Sequence, residues 1–103
     1  METRVAIIGI IVENRDENKP SIEKLNNILH DYGHYIIGRM GLPYREKGIS
    51  IISVAVDAPQ DVISALSGKL GRLPGVSTKT LYAKVSGNKK SEGSDETAGG
   101  QAL

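Results

Sequence analysis

The sequence predicts an α+β fold: a four-stranded antiparallel sheet with two helices on one of its faces. Three observations point to it. Arg4–Val12 and Ile49–Val56 are β-branched segments with apolar residues at both odd and even positions, the pattern of strands covered on both faces. Two further segments, starting near Pro20 and Asp57, space their apolar residues by three and four, the period of a helix. The elements then follow one another as β-α-β-β-α-β. A chain of 103 residues has the length of one domain. Residues 1–85 are expected to form it. Residues 86–103 are almost free of apolar side chains and are expected to form a disordered polar tail.

The first strand, Arg4–Val12, directs Val5, Ile7, Gly9 and Ile11 to one face and Ala6, Ile8, Ile10 and Val12 to the other. A polar loop from Glu13 to Asn18 follows. Pro20 suits a first helical turn, where its missing N–H would have no partner in any case, and Asn18 is the chemically preferred cap. Ile22, Leu25, Leu29 and Tyr32 form one helical stripe with Ile28 at its edge, and Gly33 is expected to end the helix. The second strand, Tyr35–Leu42, is expected to put Ile36, Gly38, Met40 and Leu42 on one face and Tyr35, Ile37, Arg39 and Gly41 on the other. Pro43 and Lys47-Gly48 then turn the chain. The third strand divides into Ile49, Ile51 and Ala55 against Ile52, Val54 and Val56.

Asp57-Ala-Pro-Gln60 resembles a capping box and is expected to start the second helix. Val62, Ile63, Leu66, Leu70 and Leu73 form its apolar stripe, and Pro74-Gly75 stops it. The last strand, Val76–Val85, carries Thr78, Thr80 and Tyr82 on one face and Leu81, Ala83 and Val85 on the other. With strands one and three in the centre, the arrangement is ferredoxin-like. These are also the two strands that are apolar on both faces.

Composition narrows the function. The absence of cysteine removes disulfides, thiolate metal sites and cysteine nucleophiles together. Thirteen basic residues stand against twelve acidic ones, with no concentrated basic stripe of the kind a duplex-binding domain shows. The apolar run Val5–Val12 is far too short to span a bilayer, and no charged-then-apolar leader precedes it, so no membrane association and a cytoplasmic location are expected. No nucleophile has an evident base, and there is no phosphate-binding loop. The chain is therefore expected not to be an enzyme and to need no cofactor.

Two helices can cover only one face of a sheet. The other face of the central strands still carries isoleucine and valine, and exposed apolar patches on monomers rarely exceed a few hundred Å². A homo-oligomer, dimer or tetramer, is thus expected. Ile7, Ile8, Ile10, Ile52 and Val54 are the candidate interface residues. The second helix adds Gly68 and Gly71, which stand with Ser64 and Ser67 away from its apolar stripe. Each glycine inside a helix costs about 1 kcal/mol against alanine, and small residues let another backbone approach closely.

Residues 4–85 resemble the small ACT-like proteins assigned a regulatory role in the iron-only hydrogenase system, which are in turn similar to the C-terminal domain of nickel-responsive repressors. The resemblance rests on Ile11-Val-Glu-Asn-Arg15, Leu29-His30, Arg39-Met-Gly-Leu-Pro-Tyr-Arg-Glu46, Ile49–Val56 and Ala65-Leu-Ser-Gly-Lys-Leu-Gly-Arg-Leu-Pro-Gly-Val76. The sequence departs from the family in a longer loop at Asp16–Lys19 and in the added tail. The resemblance implies a ferredoxin-like fold, homo-oligomers and a regulatory role, without defining a ligand.

Proteins of the ACT-like type bind small effectors near the loop after the first strand, which makes Asn14 and Arg15 candidate ligand-binding residues. Arg39, Tyr44 and Arg45 cluster near the turn between strands two and three, and guanidinium groups suit carboxylates or phosphates. Each of these sets is also what a solvated polar loop would carry. His30 and His34 have a spacing of four, but Gly33 lies between them, and two histidines are too few for a dedicated transition-metal site. No metal is expected. The leading expectation is a non-enzymatic, oligomeric regulatory module that senses a small molecule, with a protein partner where DNA must be reached. The rival is a small dimeric ferredoxin-like enzyme, an oxygenase or isomerase. RNA binding ranks last, because the central strands lack the aromatic residues that stack on bases.

Overall fold

The structure is a computed structural model that describes residues 2–84. The expected tail at 86–103, the boundary at 85 and the strand position of Val85 lie outside the described residues. The elements are β1 (Arg4–Glu13), α1 (Lys19–Asp31), β2 (Ile36–Tyr44), β3 (Ile49–Ala58), α2 (Gln60–Gly71) and β4 (Val76–Tyr82). Short 3-10 turns at Asp16–Asn18, Gly33–Tyr35 and Arg45–Lys47 join them. The strands form one antiparallel sheet in the order β2-β3-β1-β4, consistent with the ferredoxin-like arrangement. Among the described residues no helix is long and apolar enough to cross a membrane.

The core lies between the sheet and the helices. Ala6, Ile8, Ile10 and Val12 from β1 and Val54, Val56 and Ala58 from β3 are buried against Leu25 and Leu29 of α1 and Ile63, Leu66 and Leu70 of α2. This corrects the expected interface. Ile8, Ile10 and Val54 are at most 1% exposed, and Ile52 is half-buried against the same core. They stabilise the single chain and cannot face another copy. Only Ile7 of the five stands on the open face, where it is 45% exposed. The two faces of β1 alternate strictly, so a shift of one position exchanges core for surface.

Gly71 is exposed, and its lack of a side chain also serves packing within the chain. A Cβ there would come to 3.1 Å from Oγ1 of Thr78, and the Thr80 hydroxyl donates to Ser67 Oγ at 3.2 Å. This part of the small-residue stripe lets α2 lie close to β4 of its own chain. A Cβ at Gly68 would meet only the Arg72 guanidinium, at 3.5 Å.

Three local expectations meet different outcomes: the capping box fails, whereas the helix end before Gly33 and the cap at Asn18 hold in position but not in the expected geometry. Asp57 lies inside β3, which runs on to Ala58, so it forms no capping box; Pro59 stands at the N-cap of α2 with no side-chain cap. Gly33 adopts no left-handed conformation: α1 stops at Asp31, and Gly33 opens a 3-10 turn. Asn18 stands at the N-cap of α1, as expected, but its side chain makes no capping hydrogen bond. Its side chain is buried, and Nδ2 donates to the Glu13 carbonyl at 3.0 Å.

In β2, a bulge between Ile36 and Gly38 changes which residues share a face. Ile36 is opposite Val56 and faces the helices, whereas Gly38 is opposite Ala55 on the open side. Ile36 and Met40 therefore do not share a face, as uninterrupted alternation would have required. Beyond the bulge, Met40, Leu42 and Tyr44 point to the open side, and Arg39, Gly41 and Pro43 to the helix side.

Candidate functional site

Two surfaces stand out. The first is the open face of the sheet, where the strand register builds rows across it. Leu42, Ile51, Ile11 and Ser77 form one row, and Gly38, Ala55, Ile7 and Leu81 another. Between them lie Met40, Ser53, Gly9 and Lys79. Val5, Ile7, Ile11, Met40, Leu42, Tyr44, Ile51 and Leu81 are each 40–70% exposed, although they are large and apolar. Lys79 on β4 and Glu13 and Asp57 at strand ends supply charge of both signs on this side.

The second is a cleft of about 120 Å³ on the helix side. Val12, Ile22, Leu25 and Ile52 give it an apolar floor, and Asn14, Asn26 and Ser50 give it a polar rim. The sequence leaves this space open. On the helix side of β2, Gly41 stands opposite Ile52, and a Cβ on Gly41 would meet nothing within 4 Å. At Gly41 the edge strand thus adds no side chain beside Ile52. Asn14 and Ser50 are joined side chain to side chain, at 3.1 Å from Asn14 Nδ2 to Ser50 Oγ. Arg39 donates from Nη2 to Asn26 Oδ1 at a long 3.4 Å. Among the described residues no carboxylate lies within ion-pair distance of Arg39.

The candidate ligand residues therefore separate. Asn14 lines the cleft, and Arg39 reaches its rim through Asn26. Arg15 turns away to Glu13 and Glu17, at 3.5 and 3.8 Å. Tyr44 belongs to the open face, its hydroxyl donating to Glu46 at 3.1 Å. Arg45 begins the 3-10 turn that follows β2. His30 is exposed in the last turn of α1, and the His34 ring lies 4.1 Å from that of Tyr35. Among the described residues no group of three or more His, Asp or Glu could hold a metal ion.

Sequence reasoning missed Asn26 and Ser50. The signal for Asn26 was its position one turn after Ile22, at the border of the apolar stripe. Ser50 alternates with Ile49 and Ile51, and so belongs to the same face as Ile52. Neither signal marks a cleft until the emptiness at Gly41 is known.

The fold and its two surfaces define a small ferredoxin-like α+β module with a cleft on the helix side and an apolar sheet face that the helices leave uncovered. Residues 4–80 match the TM1266-like family of proposed regulators of the iron-only hydrogenase system, and the chain belongs to that family. Among solved structures it is similar to the uncharacterized protein TM1266 from Thermotoga maritima. The two are 38% identical, with a TM-score of 0.74, over 81% of this chain and all of that one. No curated protein matches.

Proposed function

We propose that this chain is a non-catalytic regulatory module of the iron-only hydrogenase system, which works by assembling with copies of itself and sensing a small molecule. The observation that carries this reading is the open sheet face. Leu42, Ile51 and Ile11 in one row and Ala55, Ile7 and Leu81 in another cross three strands each, on either side of Met40, Ser53, Gly9 and Lys79. An exposed apolar patch of this kind is rare on a monomer and marks an interaction surface. A second copy offers the same apolar centre, and it answers Lys79 with Glu13 or Asp57. A ligand that fits one packed arrangement better than another then shifts the population of assemblies. The family's regulatory role supports this reading over a dimeric enzyme. Regulation of DNA would proceed through a partner protein.

Sedimentation velocity at micromolar concentration tests the assembly. The wild-type chain is expected to sediment as a dimer or tetramer. Ile7→Asp with Ile51→Asp places two charges in the apolar rows and is expected to yield a folded monomer. A wild-type chain that sediments alone at this concentration overturns the reading. Native mass spectrometry of protein taken directly from cells reports the subunit number together with any retained small molecule.

A further inference from the structure

We propose that the cleft under α1 binds a short, branched aliphatic carboxylate, held by Arg39 and excluding the corresponding amino acid; this rests on the small-molecule reading above and gives it a chemical class. Size comes first. An engineered apolar cavity of about 150 Å³ in another protein takes up benzene, so a cleft of 120 Å³ suits roughly five or six non-hydrogen atoms. Shape and polarity come next. Val12, Ile22, Leu25 and Ile52 form a floor of branched aliphatic side chains, which suits a branched aliphatic tail. The polar groups all lie on the rim, so the ligand's polar end must lie there too.

Charge selects the carboxylate. Arg39 is a permanent cation at this rim with no carboxylate within ion-pair distance among the described residues, and its contact to Asn26 is long enough to be given up easily. A carboxylate would take two donors from the guanidinium fork, with Asn14, Asn26 and Ser50 beside it as further donors. The same rim rejects an α-ammonium group. None of the lining residues is acidic, so an ammonium would lose water and meet the Arg39 charge without a counter-ion.

The test is a methyl-detected NMR titration of the full chain with sodium isobutyrate, isobutanol and 2-aminoisobutyrate. Isobutyrate is expected to saturate, on the order of millimolar as befits so small a ligand, with shifts centred on Val12, Ile22, Leu25 and Ile52. Isobutanol lacks the charge and 2-aminoisobutyrate adds the ammonium, and both are expected to bind about tenfold more weakly. Arg39→Gln is expected to weaken isobutyrate by the same factor. Gly41→Val, which fills the open space opposite Ile52, is expected to abolish saturation. The proposal fails if isobutyrate does not saturate, if 2-aminoisobutyrate equals it, or if Arg39→Gln changes nothing. Repeating the titration on the Ile7→Asp, Ile51→Asp chain separates the two readings. Saturation by a wild-type chain that proves monomeric sinks the assembly and leaves the cleft, whereas assembly without saturation does the reverse.

Discussion

Replacing Ile8 with alanine is expected to cost about 3–4 kcal/mol of folding stability, whereas the same change at the adjacent Ile7 is expected to cost about 1 kcal/mol or less. Ile8 is wholly buried between the sheet and both helices, so truncation removes apolar contacts and leaves a cavity. Ile7 is 45% exposed on the opposite face, where truncation opens no cavity. The comparison belongs in an Ile51→Asp background, because association would add a concentration-dependent share to the stability. Urea unfolding followed by circular dichroism measures both values. Equal losses at the two positions would mean that the open face is packed within the single chain. A domain of this size is stable by only about 4–12 kcal/mol, so the Ile8 variant is expected to unfold at markedly lower urea.

The second large effect is expected at Gly75, where alanine is predicted to cost about 2–4 kcal/mol. Gly75 has φ of +75°, a conformation that costs an L-residue about 1–2 kcal/mol. A Cβ there would also come to 2.6 Å from Cγ of Asn18. The Asn18 amide has little freedom to retreat, because it is buried and donates to the Glu13 carbonyl, while the Glu13 N–H itself donates to the Gly75 carbonyl at 2.9 Å. Displacing it strands a buried polar group, worth about 1–3 kcal/mol. A double-mutant cycle isolates the clash. In an Asn18→Ala background, Gly75→Ala is expected to cost only the backbone share of about 1–2 kcal/mol. An undiminished cost there would show that the close approach to Asn18 contributes nothing.

Most of the architecture was legible because it depends on period. The alternation of Val5, Ile7 and Ile11 with Ala6, Ile8 and Ile10, and the stripes of both helices, identify the central strands and the core faces. What alternation could not show is which apolar face of a doubly apolar strand the helices cover. Both faces of Arg4–Val12 satisfy the same pattern, and only packing against Leu25, Leu29, Ile63 and Leu66 decides between them. The candidate site was half legible. Asn14 lines the cleft and Arg39 contacts Asn26 at its rim, but Arg15 finds acidic neighbours in its own loop and Tyr44 falls on the opposite side of the sheet. Asn18 shows the limit of local rules: it stands at the helix cap, but a hydrogen bond to the Glu13 carbonyl takes its side chain, which packs against Gly75, 57 positions away in sequence.

The extra residue at Ile37 decides what the far end of the edge strand offers to each side of the molecule. Delete it, and the strand beyond would rotate by half a turn. Met40 and Leu42 would then plug the hollow beneath the first helix, and the Arg39 cation would be thrust among the isoleucines. The hollow under the first helix and the apolar underside of the sheet thus share one determinant, a single inserted residue.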